Sequence, residues 1–294
     1  TKFFFKFYPN NIDKRDRLKR EVFSYQLLHK QKILNLPKLK CSNELLNVGV
    51  FNWIEGKKII KPTQQDLIES INFIKKLKNI PRKTTNSFPY DAVEACKSLK
   101  DLTFQLNEKY QKLKKFRNSK NLDIFLNGKF LPIFKNLKKK KLQKYYRPIN
   151  KDLEILSPSD FGFHNSLKDK ENKVIFLDFE YFGKDDPVKL CSDFLLHPGM
   201  NLNEYQRKFW EKNIKEIFKN DKNFLDRLYT FIPFYALRWA LIVLNDFKIS
   251  DEIKFCKDKK ITKKEFIKIK KNQLKKAYLM CKLIQKKEYK KWFK

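Results

Sequence analysis

Three oxygen-bearing side chains, Asp160, Asn165 and Asp178, occupy the stretch of this sequence whose residue types and spacing could do chemistry. It reads Ser157-Pro-Ser-Asp160-Phe-Gly-Phe-His-Asn165-Ser-Leu167, then a polar turn over 168–173, then Val174-Ile-Phe-Leu177 ending at Asp178-Phe-Glu180. Two short apolar runs around a polar turn predict a β-hairpin. The hairpin places Asp160 and Asn165 at one end of the strand pair, and the returning strand delivers Asp178 to that end. Carboxylate and amide oxygens suit a hard cation such as Mg²⁺. A remaining Asp can orient a hydroxyl nucleophile. Together these are the equipment of phosphoryl transfer, in which the protein mostly positions groups and neutralises charge. A blander reading stands beside this one, because Asp and Asn in loops commonly cap turns.

Asp160-Phe161-Gly162 spells the D-F-G of protein kinases, which needs an Asp-x₄-Asn loop shortly upstream. Residues 140–155 offer only Asn150 and Asp152, in the wrong order and spacing. Asp160 therefore fits the catalytic-loop position, and Asp178 the second, metal-binding one. An independent signal comes from the N-terminal segment. Lys6 lies mid-face in a strand-like run with Phe4 and Tyr8, and Glu21 shares the inward side of a helix with Leu18, Val22, Tyr25 and Leu28. A carboxylate on that side needs a partner, because burying an unpaired charge is costly. Lys6 could equally be a gatekeeper on a strand edge.

At these residues the sequence resembles the aminoglycoside phosphotransferase and choline kinase-like family of small-molecule kinases. The family's loop H-G-D-x-x-x-x-N is matched by Asp160-x₄-Asn165, its I-D-[FW]-E by Leu177-Asp178-Phe179-Glu180, and its G-x-x-D-P by Gly183-Lys-Asp-Asp186-Pro187. The resemblance spans about residues 2–245. It implies an ATP- and Mg²⁺-dependent phosphotransferase acting on a hydroxyl of a small molecule such as a sugar or amino alcohol. Asp160 would be the catalytic residue and Asn165 and Asp178 the metal ligands. Lys6 would contact the phosphates with Glu21 as its anchor, and Phe51, Asn52, Trp53 and Ile54 would be the hinge that binds adenine. Glu180 is a candidate supporting residue. Three departures stand out. Pro158 replaces the family His, Leu190 stands where the family has Asp (Asp193 follows), and no Gly-rich loop precedes Lys6.

The elements that must position these groups follow from periodicity. Residues 2–8 predict a strand, Asp13 to Gln31 a helix, and 45–54 a second strand closed by Glu55-Gly56. Helices are expected over 66–77, 91–116, 122–146, 203–219, 221–247 and 262–288, with strand and turn character over 157–182. The expected fold is α+β, protein kinase-like and two-lobed. Residues 1–56 form a truncated N-lobe, and 57–294 a mostly helical C-lobe carrying the hairpin.

The 294 residues carry a formal charge of +34 with 41% hydrophobic residues, which excludes a disordered basic tail. Of 67 basic residues only nine are Arg, spread along the chain without a recognition motif. Nucleic-acid readers lean on Arg for bidentate contacts, so specific nucleic-acid binding is not expected. Peripheral contact with an anionic membrane surface is compatible with the charge. The Lys runs at 138–141 and 285–291 read as solvated helix faces. Five scattered Cys without C-x-x-C spacing point to a reduced, cytoplasmic setting. The sequence begins at Thr1 rather than Met, so targeting is not legible from this end. The expected partner is a small-molecule acceptor, neutral or anionic in view of the charge. The alternative is a non-catalytic kinase-like protein that docks anionic polymers or membrane surfaces.

Overall fold

Three consecutive phenylalanines followed by Lys6 and Phe7 make the first strand, and its partner lies about 40 residues further along the chain. The computed structural model describes residues 2–9, 15–116, 119–139 and 142–293. β1 (Phe3–Phe7) pairs antiparallel with β3 (Val48–Asn52), and β3 with β2 (Leu39–Asn43), in the order β1-β3-β2. α1 (Arg17–Lys30) buries Leu18, Glu21, Ser24, Tyr25 and Leu28. These residues recur at helical spacing, so one face is inward. The predicted helix start at Asp13 lies outside the described residues. β2 was not expected, and four of its five residues are exposed, so no apolar alternation marks it.

β4 (Gly56–Lys58) leaves this sheet and pairs with β6 (Ser166–Asp169), which pairs with β7 (Val174–Phe176) as the predicted hairpin. β5 (Ile155–Ser157) and β8 (Gly183–Asp185) form a separate two-stranded pair. α2 (Gln64–Lys78) starts at a capping box between Thr63 and Asp66. Its Phe73 is fully buried against the rings of Phe161, Phe176 and Phe179, so the helix is packed directly on the loop and hairpin.

The expected helix over 91–116 begins later than its periodicity indicates. After α3 (Arg82–Ser87), Asp91 forms an isolated bridge with Lys184, and Ser98 caps α4 (Leu99–Lys114). Backbone bonds of Tyr90 and Ala92 to Lys184 and of Val93 to Tyr181, and the Cys96 N–H bond to Asp185 Oδ1, replace helical ones at the start of this stretch. The expected helix over 122–146 is also divided. α5 (Lys120–Phe125) runs through a π-helical turn at Leu126–Phe130 into α6 (Leu131–Lys138). Lys140 and Lys141 of one Lys run lie outside the described residues. α7 (Pro187–Leu196), α8 (Glu204–Ile217), α9 (Phe224–Ile242), α10 (Glu252–Asp258) and α11 (Lys263–Gln285) complete the chain.

Two compact units emerge, one of Thr1–Lys97 with Ile149–Phe224 and one of Ser98–Pro148 with Leu225–Lys294. The first holds every β-strand among the described residues and a core of aromatic rings around Phe73, Phe161 and Phe194, the last stacked on Trp210 at 3.4 Å. The second is helical, with Tyr110 stacked on Phe130 and Phe125 edge-on to Tyr278. Among the described residues no helix is long and apolar enough to cross a membrane.

Candidate active site

Lys6 projects from the middle of β1 into a set of carboxylates. Its Nζ donates to Glu21 Oε2 and to Asp178 Oδ1, each at 2.7 Å, and lies 3.2 Å from Glu180 Oε2. The partners of this one ammonium are thus 15 and 172 residues away. Glu21 is almost completely buried by α1, and its charge is met by two further donors. Tyr8 Oη donates to Oε2 at 2.5 Å and the Phe179 N–H to Oε1 at 2.9 Å. Burial works against the Lys6 charge, but Glu21 and Asp178 outweigh it and hold its pKa above that of a free lysine. Burial likewise raises the Glu21 pKa, and Lys6 opposes the rise. Lys6 is accordingly a firm cation. Arg17, one turn before Glu21 on α1, donates to Glu180 Oε1 at 2.6 Å. Glu21, Asp178 and Glu180 can bring one oxygen each within 4.8 Å of one another.

The hairpin places the remaining groups beside this cluster. Asp178 has a φ of 63°, a left-handed conformation that Asp tolerates better than most residues. Asn165 Nδ2 donates to Asp160 Oδ2 and to the Asp160 carbonyl, both at 3.0 Å. His164 Nε2 hydrogen-bonds Asp160 Oδ1 at 2.9 Å, and its ring stacks on His197 at 3.6 Å. Burial disfavours the Asp160 charge. The His164 hydrogen bond, the charges of His164 and His197 and the Asn165 amide more than offset this, leaving its pKa below the usual carboxylate value. Asp160 is therefore an anion at neutral pH.

A cavity of about 530 Å³ opens against these groups. It is lined by Lys6, Glu21, Phe51, Asn52, Trp53, Ile54, Asn165 and Asp178, together with apolar surface from Phe4, Tyr25, Leu167 and Leu177. Every binding and metal candidate from the sequence reaches this cavity. Asp160 adjoins it through Asn165 without lining it. Trp53 N–H is taken by the Lys2 carbonyl at 3.1 Å, whereas Ile54 lies between β3 and β4 and outside strand pairing. The Asn52 side chain is committed to the Lys38 N–H.

The residues fit a nucleotide and a divalent cation on two counts. The Ser166 hydroxyl lines the cavity, is buried, and has no partner among the described residues. A buried polar atom without a partner is costly unless a ligand supplies one. The candidate metal donors that line the cavity or adjoin it are oxygens, from Asn165, Asp178 and the neighbouring carboxylates, as a hard cation requires.

Several participants were not singled out from sequence. Tyr8 shares the Lys6 face and Arg17 lies four residues before Glu21, so both had a positional signal. His197 reads as structural from sequence, and only tertiary packing brings it to His164. Lys189 had carboxylates four residues before and after it, at Asp185 and Asp193.

No family model matches the sequence, and no curated protein matches it. Solved structures do match its fold. A choline kinase from Cryptosporidium parvum aligns over 97% of this chain and 83% of its own, at 12% identity and a TM-score of 0.60. The gentamicin complex of the aminoglycoside phosphotransferase APH(2")-IIa aligns over 95% and 84%, at 15% identity and 0.57. The choline kinase LicA from Streptococcus pneumoniae aligns over 95% and 85%, at 12% identity and 0.56. This chain has the protein kinase-like fold of these small-molecule kinases, with a small β-sheet N-lobe and a helical C-lobe.

Proposed function

We propose that the chain is an ATP- and Mg²⁺-dependent phosphotransferase that phosphorylates a hydroxyl of a small molecule. The observation that carries this reading is the convergence of Lys6, Glu21, Asn165 and Asp178 on one 530 Å³ cavity, with anionic Asp160 hydrogen-bonded to Asn165 at its border. Similar folds include an ADP-bound aminoglycoside phosphotransferase and a spectinomycin phosphotransferase in complex with ADP and spectinomycin. In this reading the apolar half of the cavity takes the adenine, with the Ile54 backbone as its polar contact. Lys6, anchored by Glu21, holds the phosphates. Asn165 and Asp178 hold Mg²⁺, which supplies charge neutralisation on the phosphate oxygens.

Asp160 orients the acceptor hydroxyl and accepts its proton as the acceptor oxygen bonds to the γ-phosphorus. The bond to the bridging oxygen breaks and ADP leaves. His164 and Asn165 keep Asp160 ionised and aimed. Tyr8 and the Phe179 N–H hold Glu21, and through it Lys6, in place.

The test is ADP production from Mg²⁺-ATP against a panel of sugars, amino alcohols, aminoglycosides and carboxylated or phosphorylated alcohols. Acceptor-dependent turnover is expected. Nucleotide binding without transfer to any acceptor would favour a non-catalytic role, and absence of nucleotide binding would overturn the reading.

A further inference from the structure

Lys189 is almost completely buried in α7, at 1% exposure. Its Nζ lies 3.4 Å from Asp185 Oδ2 and 3.5 Å from Asp193 Oδ2, and donates to Ser159 Oγ at 2.8 Å. A buried ammonium needs such partners, and the two carboxylates neutralise it. The hydrogen bond to Ser159 goes further, because Ser159 immediately precedes Asp160 and has a φ of 66°. That left-handed conformation is one that glycine adopts freely and serine does not. Here the side chain compensates. Ser159 Oγ also donates to the Val93 carbonyl at 2.9 Å, and the Ser159 N–H donates to Ser157 Oγ at 3.1 Å. The next residue, Asp160, closes a turn through its N–H to the Pro158 carbonyl at 2.9 Å. Ser159 is thus fixed in a strained conformation by bonds to Lys189, to Val93 and, within its own loop, to Ser157.

We propose that Lys189 is the positioning residue of Asp160: its ammonium, held between Asp185 and Asp193, locks Ser159 in the left-handed conformation that aims the Asp160 carboxylate. The inference rests on the reading of Asp160 as the group that addresses the acceptor hydroxyl. Lys189 is not among the residues that line the cavity, and its route to Asp160 is through Ser159. The carboxylates fix the ammonium, the ammonium fixes the serine hydroxyl, and the serine backbone sets the direction of the next side chain.

The test uses the full chain with Ser159→Ala, Ser159→Gly, Lys189→Met and the double variant Lys189→Met/Ser159→Gly. Two quantities are read: kcat and KM for ATP with the acceptor found above, and amide hydrogen exchange of the 157–165 segment without nucleotide. Ser159→Ala is expected to lower kcat about tenfold or more with KM for ATP changed less than about twofold. Its exchange at Asp160 and Phe161 should speed up about tenfold. Ser159→Gly should recover most of the lost kcat, because glycine needs no lock to hold this conformation. Lys189→Met should resemble Ser159→Ala, and adding Ser159→Gly should rescue it.

If Lys189→Met does not fold, for want of a counter-charge to its two carboxylates, the Ser159 pair decides alone. Wild-type kcat in Ser159→Ala, or equal loss in the alanine and glycine variants, would overturn the proposal. If no acceptor is turned over, the functional reading fails by itself, and exchange decides. Unchanged protection in Ser159→Ala would then overturn the lock, and about tenfold faster exchange would uphold it.

Discussion

Asp178 and Asp160 meet different partners, Lys6 for the first and His164 and Asn165 for the second, and their substitutions should have different signatures. Asp178 accepts from Lys6 and lines the cavity with 41% of its side chain exposed, so it supports little packing. Asp178→Asn is expected to abolish Mg²⁺-dependent nucleotide binding with the fold intact. Calorimetry with Mg²⁺-ATP checks this, and wild-type affinity would remove Asp178 from the metal site. Asp160→Asn should keep nucleotide binding and lower turnover by about 10²–10⁴, the usual weight of a positioned base. A third residue links charge to stability. Asp185 is fully buried, and burial, only partly opposed by Lys189, pushes its pKa up from 3.8 to about 6. Between pH 3.8 and about 6 the folded chain therefore holds a proton there that the unfolded chain has released. The stability this carboxyl contributes is full below pH 3.8 and is lost as pH rises through about 6. Between pH 5 and 7 the wild-type Tm should fall more than that of Asp185→Asn. Parallel changes in the two proteins would contradict the assignment.

Single elements show where local pattern and packing agree. α2 is amphipathic, well capped and correctly read from its periodicity, because its apolar stripe has one job. Phe73 on that stripe touches the rings of Phe161, Phe176 and Phe179 at centroid distances of 5.4, 4.6 and 6.2 Å. Phe73→Ala should cost about 3–5 kcal/mol, as measured by urea unfolding, because so enclosed a site collapses poorly. α7 is the opposite case. All ten of its residues are buried, Lys189, Ser192 and Asp193 included, so its polar positions at helical spacing meet other protein groups rather than solvent. Asp186 as N-cap and Pro187 in the first turn were its legible start signals. β5 and β8 are three residues each, too short for alternation to register, and Gly183 in β8 lies against the Asp91–Ala92 backbone with no room for a Cβ.

At the scale of the molecule, the charge of +34 bears on the acceptor. Asp185, Asp186 and Asp193 could have made a local anionic pocket. Instead they are buried: Asp186 caps α7, and Asp185 and Asp193 flank Lys189. With these carboxylates committed, the proposed phosphotransferase is expected to prefer a neutral or anionic acceptor over a polyamine, because the net charge of the chain is positive. The substrate screen checks this directly. Faster turnover of an aminoglycoside or choline than of every neutral or acidic alcohol would reverse the assignment. The same field predicts that the KM of an anionic acceptor rises with added salt, as screening shortens the range of the attraction.

What the sequence determined by itself was short-range or residue-specific. The Asp160–Asn165 spacing, the hairpin at 166–176 and the shared faces of Lys6 with Tyr8 and of Glu21 with Tyr25 follow from strand and helix periods. The family resemblance rested on those same residues. Tertiary structure decided what no period records. It brought Lys6 to within 2.7 Å of Asp178 across 172 residues, and it stacked His197 on His164 beside Asp160. It also delayed the expected helix from Asp91 to Leu99, with Tyr90 and Ala92 bonded to Lys184 of β8 and Val93 to Tyr181. The physical reason is the same in each case. Helical and strand periods report which side of an element is buried, whereas the partner met on that side is set by chain closure over long loops and by the burial of charges that must be paired.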